Sequence, residues 1–273
     1  MASQTNGTEG NPYTLYHHYY SLCSIMIRYL LRIRGDPQNA ASAMNVTEEV
    51  IDIFKEEQLS EKYLLEVNPN GQVPVLGSPV AFSFPLAQTT AISKYIAERY
   101  PALHPPEHTD DIKRLLDEMH AMNFFTLSFV KSPKLASGFA DAVLKRLANP
   151  DISDEYRKAL EYKLMILRRD KVHALEPAKM QAEVDKCQKY LNGLVPLLRP
   201  DSGPWLWGYQ KPTALDADLV VLLARLQDVG RHGIIPQELK EYAEKAYQTP
   251  EWIKVMEGRT TMYDGGNSAA PKK

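Results

Sequence analysis

The sequence is short of cysteine and of excess charge of either sign. It contains 2 cysteines among 273 residues, and its formal net charge is -2 at pH 7. Two cysteines are too few for the disulfide framework of a small secreted protein, so we expect a reducing compartment. A chain without a basic field does not attract a phosphate backbone strongly, which argues against nucleic acid as the main ligand.

Long apolar segments are missing too. No stretch approaches the length of a membrane span, and the opening residues, MASQTNGTEGNP, contain neither the basic nor the apolar region of a secretory signal. We therefore expect a cytoplasmic protein with no membrane partner. The histidines and cysteines lack the spacing of metal ligands, and the sequence contains neither the P-loop nor the glycine motif of dinucleotide-binding enzymes.

The first third of the chain alternates strand patterns with helix patterns. The order is β-α-β-α-β-β-α, at residues 13–17, 22–34, 50–54, 60–65, 73–76, 80–84 and 90–100. Gly77, Ser78 and Pro79 separate the last two strands and predict a hairpin. This order predicts an α/β domain.

The remainder of the chain has helical patterns only. Helices are predicted at residues 111–130, 154–174, 179–191 and 216–228, and Thr213 with Asp216 fits a capping box for the last of them. The predicted organisation is a disordered tail at 1–12, an α/β domain at 13–101, a linker at 102–108, an all-helical domain at 109–262 and a disordered tail at 263–273.

Two segments of the first domain have the residue types of a ligand site. In the run NPNGQVPVL, Pro74 begins a strand although proline cannot donate to a sheet. A cis Val73–Pro74 peptide would leave the Val73 amide and carbonyl free for another extended backbone, and the alternative is an edge-strand proline after a tight turn. Gln88 and Thr89 precede a helix whose first turn could bind a carboxylate, or they simply cap it.

The third segment is Ser21-Leu22-Cys23-Ser24, at the start of the first helix. The positive end of a helix favours a thiolate, so hydroxyl and thiol groups at this place suit sulfur chemistry. Helix capping is the alternative role for each serine.

The element order, the N-P-x-G-x-V-P-x-L strand entry, the Q-T-x-A-I helix start and the helical second half together resemble cytosolic glutathione transferases. The resemblance extends over about residues 13–262. It implies a thioredoxin-like N-terminal domain, an all-α helical bundle as the C-terminal domain, glutathione as the cosubstrate and assembly as a homodimer.

The resemblance also implies roles for particular residues. Pro74 would be the cis-proline, and Val73 would pair with the cysteinyl backbone of glutathione. Gln88 and Thr89 would hold the γ-glutamyl group, and Gln72 would belong to the same glutathione-binding set.

The resemblance does not identify which residue activates the sulfur of glutathione. Spacing to the glycine that ends the first helix places Ser21 at the catalytic serine of several classes and Cys23 at the cysteine of the beta class. The run S-L-C-S is similar to the S-S-C-S of the zeta class, which includes a glutathione-dependent cis-trans isomerase. A serine is favoured, either Ser21 or Ser24, and Tyr16 and Tyr19 are alternative hydroxyl donors.

In the helical half, similarity to beta-class enzymes implies an electrophile pocket with His120, Asn123, Phe124 and the N-terminal Tyr19. His120 would be a proton donor or a polar wall, and a purely structural histidine is the alternative. Residues 131–179 are longer than a compact relative needs, and we expect them to reshape this pocket for a bulkier substrate.

Two further predictions concern the helical half. Cys187 lies on an apolar helix stripe and is expected in the core. The basic clusters at 145–146 and 168–171 alternate with acidic residues, which is typical of a solvated helix face.

The leading hypothesis is an enzyme that activates the glutathione thiolate and adds it to an electrophilic, largely apolar small molecule. The addition is either a conjugation or a reversible step that isomerises a double bond. One alternative is a non-catalytic regulatory or interaction module on the same fold. The other is a glutaredoxin-like thiol transferase that uses Cys23.

Overall fold

The computed structural model describes residues 10–129, 135–172 and 174–263. Its first part is a four-stranded mixed sheet with helices packed against it. The elements are β1 (Asn11–His17), α1 (Leu22–Ile33), β2 (Met44–Val50), a π-helical turn (Tyr63–Val67), β3 (Val75–Gly77), β4 (Leu86–Ala87) and α2 (Thr89–Ala97). The predicted order and the thioredoxin-like fold class are confirmed. The predicted tails at 1–12 and 263–273 lie mostly outside the described residues.

The sheet has the strand order β2-β1-β3-β4. β1 pairs in parallel with β2 and antiparallel with β3, and β3 pairs antiparallel with β4. Tyr13, Leu15 and His17 alternate along β1 with less buried residues, so one face of this strand lies in the core.

The prediction of the second strand at residues 50–54 is wrong, because β2 ends at Val50 and a turn follows. β2 is an edge strand with the sequence MNVTEEV, and most of its residues are at least partly exposed. Such a polar strand lacks the apolar alternation that identifies a strand from sequence. Phe54, whose apolar side chain contributed to the misplaced strand, is 58% exposed.

The second strand of the hairpin is also displaced from its predicted place at residues 80–84. The Ser78 hydroxyl accepts hydrogen bonds from the amides of Val80 and Ala81, at 3.4 and 3.2 Å, which folds this segment into a turn. Val80 and Phe84 are exposed, and pairing with β3 begins only at Leu86.

The described residues after 101 contain helices and no strand. The helices are α3 (Thr109–His120), α4 (Phe124–Ser128), α5 (Leu135–Leu147), α6 (Asp154–Leu167), α7 (Pro177–Leu194), α8 (Ala214–Asp228), α9 (Gln237–Tyr247) and α10 (Pro250–Met256), and a π-helical turn (Arg168–Val172) continues α6. The single helix predicted at 111–130 is divided, because the Asn123 side chain caps α4 by accepting from the Thr126 amide at 3.1 Å. α5, α9 and α10 are not among the predicted helices.

Helix α8 lies at the centre of the helical part. All its residues from Ala214 to Leu226 are buried, which explains why most of them are apolar. The predicted capping box is confirmed, since Thr213 and Asp216 exchange hydrogen bonds at the start of α8. The predicted burial of Cys187 in the core is confirmed as well. Within the parts of the chain that are described, no helix is long and apolar enough to span a membrane.

The two parts of the chain meet where α1 packs against α8. The Arg225 guanidinium on α8 is buried, and it donates at 2.9 Å to the carbonyl of Tyr20, immediately before α1. It also donates to the hydroxyl of Ser128 at 3.0 Å and to that of Thr261 at 3.1 Å. The entry into α1 is therefore held in place by the helical part.

Helices α5 and α6 form a hairpin that packs against the α/β part. Its apolar cluster joins residues of both parts: Leu59, Leu64, Val143, Tyr156, Leu160, Leu164 and Leu167. This hairpin belongs to the segment at 131–179, whose proposed effect on the electrophile pocket stays a prediction. Residues 130–134 and 173 lie outside the described residues.

We expect Asp216→Ala to lower the free energy of unfolding by about 3 kcal/mol or more. The fully buried Asp216 carboxylate accepts from the Leu206 amide at 3.0 Å, the Thr213 amide at 2.7 Å and the Tyr242 hydroxyl at 2.7 Å, so truncation leaves these donors without a partner. Urea denaturation measures the change. Thr249→Ala, which removes the cap hydrogen bond of α10 and a bond from the same partly exposed hydroxyl to the Ala246 carbonyl, is the control with an expected cost of about 1 kcal/mol. Equal costs for the two variants would contradict the expectation.

Candidate active site

Two of the predicted segments meet beside the sheet at Ser21 and Val73. The Val73–Pro74 peptide is cis, and β3, which begins after it, is an interior strand. The cis alternative is therefore confirmed and the edge-strand alternative is wrong. The Ser21 hydroxyl donates to the Val73 carbonyl at 3.5 Å, and no described residue accepts a hydrogen bond from the Val73 amide. A peptide-like backbone could bind beside this hydroxyl.

Ser21 lies at the N-terminus of α1. Its half-buried side chain caps the helix by accepting from the Ser24 amide at 3.3 Å. The capping and ligand-site interpretations of this residue are therefore compatible. The hydroxyl is at the positive end of a 12-residue helix, where an anion is stabilised.

Ser24 occupies a different environment from Ser21. It is fully buried, and its hydroxyl accepts from the His18 amide at 3.3 Å. The assignment of Ser24 as a sulfur-activating residue is corrected on this basis, because its side chain faces the protein interior.

Cys23 is half-buried and forms a hydrogen bond with the side chain of Thr89. Burial raises the pKa of the Cys23 thiol above its ordinary value, although this hydrogen bond acts in the opposite direction. A thiol with a raised pKa carries less thiolate at neutral pH, which makes it a poor nucleophile. Cys23 thus contacts Thr89, which is predicted to bind glutathione, but its thiol does not have the low pKa of an activated cysteine.

Gln88 lies at the entry to α2 in an unusual backbone conformation. Its φ is 90°, in the region that residues other than glycine rarely adopt. Such strain costs about 1–3 kcal/mol and is concentrated at functional sites. The Gln88 side chain is exposed, while Thr89 behind it is buried. As at any helix N-terminus, the first amides of α2 can bind an anion.

A cavity of about 300 Å³ lies over the start of α2. It is lined by Asn70, Gln72, Gln88, Thr89, Thr90, His120, Ile166, Arg169 and Asp170. The structure therefore brings Gln72, Gln88 and Thr89 together, as the sequence predicts. Its other walls come from α3, α6 and the π-helical turn that follows α6.

His120, at the end of α3, lines this cavity and forms a short contact with a buried carboxylate. Its Nε2 lies 2.7 Å from Oδ2 of Asp218, which is fully buried on α8. The carboxylate orients the imidazole ring, and it favours a proton on Nε2. His120 thus lines the same cavity as Gln88 and Thr89.

Comparison with known proteins identifies the first part of the chain. Residues 11–98 match the family model of the glutathione S-transferase N-terminal domain. This match identifies residues 11–98, about a third of the chain, as a glutathione S-transferase N-terminal domain. No curated protein matches it in sequence.

Solved structures of glutathione transferases share the fold over most of this chain. A β-etherase from Sphingobium sp. strain SYK-6 has a TM-score of 0.64 and 16% identity, covering 90% of this chain and 98% of its own. A bacterial zeta-class enzyme, maleyl pyruvate isomerase, has a TM-score of 0.54 and 18% identity, with 89% and 95% covered. A glutathione transferase from Populus trichocarpa has a TM-score of 0.54 and 17% identity, with 90% and 98% covered.

The other residues predicted for the electrophile pocket differ in what they contact. Phe124 packs edge-on against His120, with ring centroids 5.4 Å apart. Asn123 caps α4 and donates to the Asp170 carbonyl at 3.2 Å, so its side chain is occupied by structural contacts. Tyr19 packs against His17 and lies under the guanidinium groups of Arg28 and Arg259, which gives it a structural environment too.

An aromatic cluster beside Ser21 was missed in the sequence. It consists of His18, Tyr20, Phe54 and Tyr263, and neighbouring rings in it have centroids 4.9–6.2 Å apart. Phe54 and Tyr263 are 58% and 50% exposed, so the cluster presents ring surface to solvent. The members come from three distant parts of the chain, and a single exposed aromatic residue in a turn gives no signal of its own.

Asp218, Arg169 and Asp170 are further site residues that sequence reasoning missed. Asp218 lies within a largely apolar helix, and an acidic residue in such a run is the one sequence signal that could have identified it.

The expectation that residues 168–171 form a solvated face is wrong for Lys171, which lies 4.6 Å from the ring centroid of Phe139. Burial lowers the pKa of this lysine. In the described ranges, no group of three or more His, Cys, Asp or Glu side chains could hold a metal ion.

We expect Cys23 to react with iodoacetamide at neutral pH more slowly than a free cysteine. Its pKa is raised, so the thiolate fraction is small below the ordinary cysteine pKa and grows as the pH rises through and beyond it. Mass spectrometry of the alkylated peptides measures the rate at several pH values. Cys187, which is fully buried, gives the background of the native protein. Alkylation of Cys23 faster than that of free cysteine at pH 7 would rule out this assignment.

Proposed function

We propose that the protein is a glutathione-dependent enzyme in which Ser21 stabilises the glutathione thiolate for addition to an electrophilic small molecule. The observation that carries the proposal is the position of the Ser21 hydroxyl, 3.5 Å from the Val73 carbonyl and at the N-terminus of α1. A cysteinyl backbone paired with Val73 would place its sulfur near that hydroxyl. The glutathione S-transferase family model over residues 11–98 supports glutathione as the cosubstrate.

The cavity over α2 supports a specific placement of the tripeptide. In this placement the γ-glutamyl end lies at Gln88 and Thr89, where the first turn of α2 attracts its carboxylate. Gln72 lines the same cavity one residue before Val73. Solved structures with this fold from Pseudomonas fluorescens and Sulfitobacter contain bound glutathione. Both lie at 16% identity to this chain.

The energetics are sufficient for a serine mechanism. Lowering a thiol pKa by about two units requires about 2.7 kcal/mol in favour of the thiolate. A hydrogen bond to a charged group supplies about 1.5–3 kcal/mol, and a helix N-terminus about 0.3–1 kcal/mol. Ser21 and the end of α1 together reach this value, so no cysteine nucleophile is required.

The electrophile is proposed to be largely apolar and to include a ring. The support is the aromatic cluster of His18, Tyr20, Phe54 and Tyr263, which includes the residue before Ser21 and exposes ring surface. Rings bind to such a surface by offset or edge-on stacking. Positioning the electrophile beside the thiolate contributes several kcal/mol to an addition reaction.

Both conjugation and isomerisation need the same activated thiolate. Among the structural relatives are a maleyl pyruvate isomerase and a β-etherase, whose names describe an isomerisation and an ether cleavage. Neither reaction transfers to this chain at this level of identity. We propose addition of the thiolate as the shared step, in a cytoplasmic homodimer with a substrate domain at 109–262.

Two alternatives make different demands on the site. A thiol transferase needs a reactive Cys23, and the raised pKa of that buried thiol disfavours it. A non-catalytic module needs no sulfur site, whereas here the Ser21 hydroxyl and the Val73 backbone lie side by side. Three assays distinguish the conjugating enzyme, the thiol transferase and the non-catalytic module: glutathione binding, conjugation of an aryl halide and reduction of a mixed disulfide. Absence of glutathione binding would reject both enzymes.

We expect Ser21→Ala to reduce kcat/KM for conjugation about 10- to 100-fold, because the hydrogen bond to the thiolate is lost. The pKa of bound glutathione, measured by the ultraviolet absorbance of the thiolate, should rise in parallel. Ser24→Ala is the matched control, since Ser24 is fully buried in the same helical turn, and it should retain the wild-type pKa of bound glutathione. An unchanged bound-thiol pKa in Ser21→Ala would remove Ser21 from the mechanism.

We expect His120→Asn to weaken glutathione binding about tenfold while leaving the preference among electrophiles unchanged. His120 lines the cavity at Gln88 and Thr89, and the variant breaks its contact with the buried Asp218 carboxylate. Calorimetric titration with glutathione and a panel of aryl halides measure the two quantities. His232→Asn, at an exposed turn remote in sequence from the cavity, is the control. A change in electrophile preference alone would place His120 in the electrophile pocket instead.

A further inference from the structure

A buried lysine of the α5–α6 hairpin contacts the loop that leads into Val73. Lys163, on α6, is 3% exposed. Its Nζ donates to the carbonyl of Asn70 at 2.5 Å and to that of Gly71 at 3.1 Å. Both carbonyls lie within three residues of Val73. The contact therefore connects the helical part directly to the backbone on which the peptide ligand is proposed to bind.

A lysine is a costly residue at this place. Burial lowers the pKa of Lys163 to about 7; the charge of Lys171 acts in the same direction, and that of Asp170 opposes it. An apolar residue of the same size would fill the space within the surrounding cluster at lower cost. The hydrogen bonds to Asn70 and Gly71 are the interactions that only the amine provides.

In the loop from Asn68 to Gln72, three successive carbonyls accept hydrogen bonds from side chains. The Asn68 side chain and the Tyr63 hydroxyl donate to the Gln72 carbonyl at 2.9 and 2.8 Å, and Lys163 holds the two preceding carbonyls. Gly71 has a φ of 54°, and a Cβ there would lie 3.0 Å from the Gln58 carbonyl oxygen. The loop conformation is thus determined by its surroundings on several sides.

The hairpin itself is fastened to the same region. The Tyr156 hydroxyl donates to the Leu59 carbonyl at 2.5 Å, and Arg146 pairs with Glu56 at 2.6 Å. Leu160 and Leu164 pack with Leu59 and Leu64 in the apolar cluster. The hairpin therefore brings Lys163 to the loop as part of a fixed structure.

We propose that Lys163 is a positioning residue for glutathione, through which the α5–α6 hairpin sets the affinity of the protein for this peptide. It acts by holding the Asn70 and Gly71 carbonyls, and so the direction in which the chain enters the cis Val73–Pro74 peptide. The inference rests on the proposed function, because it assumes that glutathione binds along Val73. In this role Lys163 itself contacts neither the sulfur nor the electrophile.

The test is Lys163→Met in the full chain. We expect KM for glutathione to rise about tenfold, because both hydrogen bonds from Lys163 to the loop are lost, with kcat at saturating glutathione changed less than twofold. KM for the aryl halide should stay the same. Lys158→Met, an exposed lysine on the same helix, is the matched control and should behave as wild type. An unchanged KM for glutathione in Lys163→Met would overturn the proposal.

A second measurement does not depend on catalysis. Hydrogen exchange of the Asn70 and Gly71 amides, which are bonded to the side chain and the carbonyl of Asn68, should become faster in Lys163→Met without glutathione. If the wild-type protein binds no glutathione, the proposed function fails while faster exchange still identifies Lys163 as the support of the loop. Unchanged exchange would reject that support. Should Lys163→Met not fold, Lys163→Gln, which keeps a neutral donor, is expected to give a smaller rise in KM, and a wild-type KM for it would reject the proposal.

Discussion

The burial of α1 between the sheet and α8 is the constraint on which the candidate site depends. Most residues of α1 are buried, and the N-terminal end of the helix carries Ser21 and Cys23. Arg225 of α8 holds the Tyr20 carbonyl at 2.9 Å, so the turn into α1 has one position relative to the helical part. The Ser21 hydroxyl is thereby placed beside Val73, although no residue of α8 is among those that line the cavity over α2.

Buried cations bonded to backbone carbonyls recur where the two parts of the chain meet. Arg225 bonds the Tyr20 carbonyl, Arg28 bonds the Val255 carbonyl at 3.0 Å, and Lys163 bonds those of Asn70 and Gly71. A buried cation without such partners would be strongly destabilising. Each contact therefore requires one relative position of two segments that are distant in sequence, and this requirement gives specificity more than stability.

The sequence predicts those features whose cause is local. The cis Val73–Pro74 peptide, the capping box at Thr213 and the strand-helix order depend on short patterns, and all are present. The edge strand β2 was misplaced because a polar strand exposed to solvent has no apolar alternation. The contact of His120 with Asp218 and that of Lys163 with the loop at Asn70 join residues about 90 or more positions apart, which no pattern within one segment reveals.

The choice between a hydroxyl and a thiol at the sulfur is an example of this limit. Ser21 and Cys23 share the same helix end, so the helix dipole acts on both. Ser21 is the N-cap, in extended backbone, and its hydroxyl lies beside the Val73 carbonyl. Cys23 lies in the first turn of the helix, where its thiol bonds to the Thr89 side chain and burial raises its pKa. The burial of each side chain, which depends on packing around α1 and not on the local sequence, thus distinguishes two residues that are equally suitable by position.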